Sequence, residues 1–283
     1  EHKLGRPRAW VLEQIGRTVP RAHDAGLRVC VGLEDASRAD PAFLDEVVAA
    51  AQQAGAERVR FADTVGLMEP FTLFERIARL RAATDLDIEM HAHDDLGLAT
   101  ANSLAAVRAG ATHVNTTVLG LGERAGNAAL EELVVALLDL YGIETGIELR
   151  DYDALARLVA EASHSPISPL KSLVGERVFS HESGIHVDGL LKDVRTYQGI
   201  DPARLGRAHR FVLGKHSGTR GVIHAFGELG IRLGRDEARG LVPHLRRFVV
   251  GCKRPPTADE LQALHDRVRA ELVSPSHPIA RPS

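Results

Sequence analysis

The sequence predicts an α/β fold: the C-terminal half of a (β/α)8 TIM barrel, about strands 5–8, followed by mostly helical C-terminal subdomains. In the first half of the chain, short apolar runs alternate with alanine-rich amphipathic stretches, which indicates a parallel sheet. Polar segments follow each run, as they do at the carboxyl end of a barrel. Four such units are recognisable where a closed barrel needs eight, so we expect the chain to begin in the middle of a barrel.

The individual elements follow from local signals. A helix over Pro7–Ala25 opens the pattern, since proline is compatible with a first helical turn. Ala-Gly pairs then mark helix ends before the strands, because glycine adopts the left-handed conformation at little cost. The predicted strands are Arg28–Val31, Arg58–Ala62, Asp87–Ala92 and His113–Val118.

The second half of the chain has a different sequence pattern, with helical stretches and several histidines and glycines. We divide the sequence into a partial barrel over 1–142, a connecting helical region over 143–180 and a C-terminal subdomain over 181–283. The predicted helices are Ala128–Tyr141, Asp153–Ser163, Thr219–Glu228, Asp236–Val250 and Thr257–Leu272.

Composition narrows the classes of partner. The 35 basic and 38 acidic side chains nearly cancel, so neither nucleic acid nor an anionic membrane surface is expected. The sequence contains no apolar stretch of membrane-spanning length. The two cysteines, Cys30 and Cys252, give no disulfide or zinc pattern, which fits a cytoplasmic protein with small-molecule substrates.

Two histidines stand two residues apart in the predicted strand that ends near Ala92. Because side chains alternate faces along a strand, His91 and His93 point the same way. Two neutral imidazoles on one face form half of a divalent-metal site. The following Asp94 and Asp95 are expected to be supporting or capping groups that orient the imidazoles.

A glycine-rich loop, Gly120–Asn127, follows the last predicted strand. Its glycine spacing does not match the dinucleotide-binding pattern, and taken alone it also fits a turn with a surface Glu-Arg pair. Beside the two histidines, Asn127 becomes an oxygen donor near a metal, and Glu123 a general acid/base or orienting group.

The run His91–Asn102, together with Gly120–Asn127, resembles the second signature of the 2-isopropylmalate synthase and homocitrate synthase family. Further segments look like this family's strand ends and C-terminal subdomains, and the details look most like the homocitrate synthase of nitrogen fixation. These segments are Glu34–Asp40, Phe61–Gly66, Glu182–Gly189, Tyr197–Pro202 and Leu213–Gly218.

The resemblance implies a metal-dependent acyltransferase that condenses acetyl-CoA with 2-oxoglutarate to homocitrate and then hydrolyses the thioester. It implies a divalent ion (Mg, Mn or Zn), acetyl-CoA as co-substrate, and a homodimer with exchanged C-terminal regions. The implied residues are His91, His93 and Asn127 for the metal, Glu34 and Thr64 for the substrate, and Glu123, His186 and Tyr197 for catalysis. Of these, His186 and Tyr197 would serve the partner subunit's barrel.

The sequence departs from the family in one respect. The family carries an Arg-Asp-Gly motif on its first barrel strand, which supplies a third protein ligand and a catalytic arginine, and this sequence lacks it. We therefore expect an incomplete metal site, no turnover by the isolated chain, and two sheet edges and an apolar interior face left unpaired.

Other functions remain open at this point. Within the family, 2-isopropylmalate synthase, acting on 2-oxoisovalerate, and citramalate synthase are alternatives. A non-catalytic subunit that keeps the assembly surface is a different class. A lyase running the reverse carbon–carbon cleavage is a third, although lyases of this group lack the region that carries His186 and Tyr197.

Overall fold

The computed structural model describes residues 4–273, with side chains described through residue 270. The chain divides into two compact units, Glu1–Ile167 and Ser168–Ser283. The threefold division expected from the sequence stays a prediction, and part of its last member, residues 274–283, lies outside the described residues. None of the described helices is both long and apolar enough to cross a membrane.

The first unit contains a parallel four-stranded sheet whose strands follow one another in chain order. Among the described residues of this unit there are six α-helices, and a short 3-10 turn at Val118–Gly120 follows the last strand. The strands are β1 (Cys30–Leu33), β2 (Arg58–Asp63), β3 (Asp87–Ala92) and β4 (His113–Asn115). The helices are α1 (Arg8–Asp24), α2 (Pro41–Gln53), α3 (Pro70–Ala83), α4 (Ala99–Arg108), α5 (Leu130–Tyr141) and α6 (Tyr152–Ala162).

Two of these helices begin with the same chemistry. Each has a proline at its first position, where the missing amide hydrogen costs nothing, and a carboxylate just before it. The Asp40 carboxylate accepts the amide of Ala42, and the Glu69 carboxylate accepts the amides of Phe71 and Thr72. These caps fix the residues at which α2 and α3 begin.

The core of the first unit lies between the sheet and its helices. Alternate residues of β2 and β3 are fully buried, and they pack in one cluster with the apolar faces of the helices. The central members are Val48, Val59, Phe61, Leu73, Ile77, Ile88 and Met90.

The opposite face of the sheet is charged, so the expectation of an apolar interior face is wrong. Glu89 on β3 pairs with Arg58 on β2 at 2.6 Å and lies 3.9 Å from Arg60. Arg58 also contacts the Nε2 atom of His113 on β4 at 2.9 Å. Period-2 alternation places these side chains opposite the core residues, and a hydrogen-bonded ion-pair network occupies the face.

The second unit is mostly helical, as predicted, with a small parallel pair of strands that the sequence did not indicate. Its core centres on Val222, Phe226, Leu241 and Leu245. The strands are β5 (Ser180–His181) and β6 (Arg210–Phe211), and the main helices are α7 (Gly184–Lys192), α8 (Thr219–Glu228), α9 (Arg235–Cys252) and α10 (Ala258–Val273).

Candidate metal centre

The two histidines of the His-x-His segment lie together at the carboxyl end of β3, as predicted. Their ring centroids are 4.8 Å apart and the ring planes make an angle of 70°. His91 is in the strand itself, while His93 follows it and forms an isolated antiparallel bridge with Asn127. The backbone therefore brings the three predicted metal donors into one place.

Three polar atoms at this place are buried and have no hydrogen-bond partner among the described residues. They are Nδ1 of His91, Nδ1 of His93 and Oδ1 of Asn127. Buried polar atoms are nearly always satisfied, so three such atoms in one place call for a partner. Imidazole nitrogens and an amide oxygen are ligands of divalent ions, and the donor set fits such an ion.

The electrostatics of His91 favour metal binding. Burial lowers the pKa of His91 below its ordinary value, and the neighbouring His93 lowers it further because a second positive charge would be repelled. The neutral ring, which is the form that binds metals, is therefore retained at physiological pH. Within the described part of the chain, no cluster of three His, Cys, Asp or Glu side chains forms a metal site by itself.

The loop 120–127 fixes the remaining donor, Asn127. Its backbone amide donates to the carbonyl of Gly120 at 2.9 Å, and its side-chain Nδ2 donates to the carbonyl of Leu121 at 3.0 Å. Anchoring Nδ2 in this way leaves Oδ1 as the atom that can serve a ligand.

Arg124 ties this loop to two other strand ends. Its guanidinium donates to the Asp95 carboxylate at 3.0 Å and to the carbonyl of Thr64 at 2.7 Å. The hydrogen bond from Arg124 lowers the pKa of Asp95. Asp94 accepts the amide of Ala99 at 2.8 Å. Asp94 therefore binds an amide at the start of α4 and Asp95 binds an arginine, while the expectation that the two carboxylates orient the imidazoles stays a prediction.

The two predicted substrate-binding residues directly follow neighbouring strands. Thr64 comes after β2, and its hydroxyl oxygen accepts the amide of Asp35 at 2.8 Å. Because the oxygen is engaged as an acceptor, the hydroxyl can donate its hydrogen to an anionic ligand. Glu34 comes after β1 and is exposed, as is the proposed general acid/base Glu123 in the loop 120–127.

The other two predicted catalytic residues belong to the second unit. The rings of His186 and Tyr197 lie 4.3 Å apart at an angle of 35°, and both side chains are exposed. The pairing of these two residues implied by the family resemblance is therefore present within this unit. Gly189 allows it, since a Cβ there would lie 2.6 Å from the Tyr197 ring.

Sequence reasoning missed two sets of contacts around the loop 120–127. The bridging role of Arg124 was not foreseen, because its partners lie 29 and 60 residues away in sequence. The buried pair Glu131 and Tyr152, behind the loop 120–127, was also missed. Two adjacent glutamates in a first helical turn are typical of an exposed face and gave no signal.

The fold and the site define a protein of the α/β, TIM-barrel type with polar donors gathered at the carboxyl ends of parallel strands. Residues 1–159 match the family described as HMGL-like, and residues 173–250 match the homocitrate synthase post-HMGL domain-like family. The chain belongs to the HMGL-like family and, within it, to the group of 2-isopropylmalate and homocitrate synthases.

Individual relatives agree with this assignment. The chain is 48% identical to 2-isopropylmalate synthase 2 of Caldanaerobacter subterraneus subsp. tengcongensis over 268 residues, which is 95% of this chain and 70% of that protein. It is 49% identical to the homocitrate synthase of Frankia alni over 228 residues, 81% of this chain and 65% of that protein. It thus spans about two thirds of the length of these relatives.

A solved structure supports the fold. The HMG-CoA lyase of Bacillus subtilis superposes with a TM-score of 0.53 at 22% sequence identity, covering 59% of this chain and 60% of that chain. At this level of identity the similarity concerns the α/β architecture alone.

Proposed function

We propose that this chain carries the metal-binding part of an acyltransferase that condenses acetyl-CoA with 2-oxoglutarate to homocitrate, of the nitrogen-fixation type. Its four strands would be the C-terminal half, about strands 5–8, of a TIM barrel. The observation that carries the proposal is the set of three buried, unsatisfied donor atoms on His91, His93 and Asn127. Membership of the synthase group supports the choice of reaction.

The first part of the reaction concerns the 2-oxo acid. A divalent ion held by His91, His93 and Asn127 would supply a Lewis acid for the ketone of this substrate. The Thr64 hydroxyl, whose oxygen already accepts the Asp35 amide, donates to the substrate carboxylate. Glu34 lines the pocket from the neighbouring strand end.

The second part concerns acetyl-CoA. His186, oriented by the ring of Tyr197, removes a proton from the acetyl methyl group. The methyl carbon then bonds to the ketone carbon, and the ketone oxygen takes up a proton to become a hydroxyl. Glu123 acts as the general acid/base in the proton transfers. Water finally cleaves the thioester, and CoA leaves. In this proposal His186 and Tyr197 serve the barrel of the partner subunit in a homodimer with exchanged C-terminal regions.

A second candidate, 2-isopropylmalate synthesis, is favoured by the relative of that name, which matches 95% of this chain. A third candidate is (R)-citramalate synthesis, because a relative from Methanopyrus kandleri with the name putative (R)-citramalate synthase is 44% identical over 268 residues. The three reactions share the metal chemistry and differ in the side chain of the 2-oxo acid.

Metal binding is the first test. We expect Mn²⁺, titrated into the purified chain by calorimetry, to bind and to lose affinity when His91, His93 or Asn127 is replaced by alanine. His113→Ala is the matched control, since it removes a histidine from the neighbouring strand β4, away from the three donors. Equal affinity in all four variants would contradict the site and would favour a non-catalytic subunit.

Substrate choice is the second test. With Mn²⁺ present, 2-oxoglutarate should bind more tightly than 2-oxoisovalerate, and the reverse order would favour 2-isopropylmalate synthesis. Turnover by residues 1–283 alone is not expected, because the aspartate and arginine of the family's Arg-Asp-Gly motif are not in this sequence. Release of CoA from acetyl-CoA by the purified chain would contradict that expectation.

A further inference from the structure

A buried acid lies directly behind the loop that carries Asn127. Glu131, in the first turn of α5, is 0% exposed, and Tyr152, at the start of α6, is 3% exposed. The Tyr152 hydroxyl donates to Oε2 of Glu131 at 2.5 Å. Burying a carboxylate is costly unless it receives hydrogen bonds, and the Tyr152 hydroxyl supplies one here.

The pair faces a backbone amide in an unusual conformation. The amide of Leu119 donates to both Oε2 of Glu131 and the Tyr152 hydroxyl, at 3.3 Å each. Leu119 has φ +63° and ψ 6°, the left-handed region that a leucine rarely adopts. A non-glycine residue stays in that region when its surroundings hold it there.

Leu119 in turn sets the start of the loop 120–127. The two residues that follow it, Gly120 and Leu121, supply the carbonyls that accept the backbone and side-chain N–H groups of Asn127. A change in the conformation of residue 119 would move both acceptors. The position of the Asn127 side chain therefore depends on the backbone at Leu119.

The hydroxyl of Tyr152 keeps its proton under all ordinary conditions. Burial raises the pKa of this phenol, and the hydrogen bond to Glu131 raises it further. The proton is thus always available for the carboxylate, while the oxygen lone pairs remain available for the Leu119 amide.

We propose that Glu131 and Tyr152 are a positioning pair for the metal donor Asn127: by holding Leu119 in the left-handed conformation, they fix the two carbonyls that orient the asparagine. Neither residue is one of the proposed metal donors. The inference rests on the proposed function, because it assigns these two residues to the same metal site.

The main test is Tyr152→Phe in the full chain, which removes the hydroxyl and keeps the ring. Hydrogen exchange at the Asn127 amide should accelerate, and Mn²⁺ affinity should fall about tenfold, as is usual when a group supporting a metal ligand is lost. Tyr141→Phe, at the exposed end of α5, is the matched control and should change neither quantity. Glu131→Gln, which keeps an acceptor oxygen, should have a smaller effect than Glu131→Leu.

A rescue experiment separates positioning from general stability. Glycine adopts the left-handed region without cost, so Leu119→Gly added to Tyr152→Phe should restore most of the Mn²⁺ affinity. A pair that merely stabilised the fold would not be rescued in this way. Failure of the rescue would overturn the proposal.

The outcomes also separate this proposal from the proposed function. If His91→Ala weakens Mn²⁺ binding and Tyr152→Phe does not, the metal site stands and the positioning pair is wrong. If the chain binds no Mn²⁺, the metal site fails, and exchange at the Asn127 amide still decides whether the pair holds the loop. If the Asn127 amide of Tyr152→Phe exchanges at the wild-type rate, the proposed positioning pair is wrong in every case.

Discussion

At the scale of single residues, Gly126 shows how tightly the loop 120–127 closes around Asn127. It has φ +96°, and a Cβ built there would lie 2.0 Å from the carbonyl oxygen of Gly120. That carbonyl is the acceptor of the Asn127 amide. A side chain at residue 126 would therefore separate the Asn127 amide from the Gly120 carbonyl and break the hydrogen bond that closes the loop.

We predict that Gly126→Ala lowers the free energy of unfolding by at least about 3 kcal/mol, because strain at positive φ adds to a backbone clash. Gly97→Ala is the control: it has φ +70°, but a Cβ there meets no atom within 4 Å. It should cost about 1 kcal/mol, for the strain alone. Urea denaturation measures the free energy of unfolding of both variants. Equal losses would mean that the loop 120–127 accommodates the added methyl group without cost.

Residues of the site differed in how far the sequence could predict them. His91 and His93 were predictable because strand alternation places i and i+2 on one face, and their rings do lie 4.8 Å apart. Glu131 was not, because Leu130-Glu131-Glu132-Leu133 has the pattern of an exposed first helical turn. Its burial depends on Tyr152, which lies 21 residues further along the chain.

At the scale of elements, α10 is stabilised by a capping box. The amide of Thr257 donates to the Glu260 carboxylate at 2.8 Å, the amide of Glu260 donates to the Thr257 hydroxyl at 3.3 Å, and Arg254 pairs with the same carboxylate. The hydrogen bond from Arg254 is the main cause that lowers the pKa of Glu260 to about 2, and the Thr257 amide adds to it.

This capping box gives stability a defined pH dependence. Since the pKa of Glu260 is depressed in the folded state, its contribution is present above the unfolded value near 4.5 and is lost as the pH falls through about 2. We predict that wild type has a higher melting temperature than Glu260→Gln at pH 6 and that the difference between the two melting temperatures narrows steadily toward pH 2. Thermal melts followed by circular dichroism measure it, with Asp236→Asn, an exposed first-turn acid of α9, as control.

The charged face of the sheet makes a second prediction at this scale. Glu89, with 9% of its side chain exposed, depends on Arg58 for its charge partner. We expect Arg58→Met to cost about 3 kcal/mol of stability, because it leaves a buried carboxylate without its main partner. Most of the loss should be recovered in the double variant Arg58→Met/Glu89→Met, as measured by urea denaturation.

A surface pair provides the comparison. Arg28 pairs with Glu57 at the same distance of 2.6 Å, but 79% and 41% of these two side chains are exposed. Arg28→Met should therefore leave the stability close to that of wild type. Similar losses for Arg58→Met and Arg28→Met would mean that burial of Glu89 does not matter.

Element boundaries show where local sequence signals are sufficient. The predicted strand Asp87–Ala92 has the observed bounds, since both its alternation and the loop that follows are well marked. The strand predicted to reach Val118 ends at Asn115 instead, because the chain turns at Val118–Gly120 with Leu119 left-handed. A leucine carries no signal for such a turn. The strands β5 and β6 have two residues each, too short for any periodicity to indicate them.

At the scale of the whole molecule, the sequence predicted a four-stranded parallel sheet but not the chemistry of its inner face. Alternating residues of β2 and β3 packed against helices were recognisable as core. The opposite positions hold Arg58, Arg60 and Glu89, whose charges could have been read from the sequence. The expectation of an apolar face came from the usual composition of barrel interiors rather than from these residues, and for that reason it was wrong.

The proposed exchange of C-terminal regions makes a prediction about the assembled protein. If His186 of one subunit serves the barrel of its partner, two inactive variants should complement each other. In a heterodimer of His91→Ala and His186→Ala subunits, one of the two sites regains both histidines.

The test uses an active protein that contains this chain. The two variants are mixed in equal amounts, denatured and refolded together. CoA release should then reach about a quarter of the wild-type rate, because half of the dimers are mixed and each mixed dimer has one intact site of two. If each His186 served its own barrel, every site would lack one histidine and the mixture would stay inactive. Activity that rises with the fraction of mixed dimers, measured across mixing ratios, would distinguish the two arrangements.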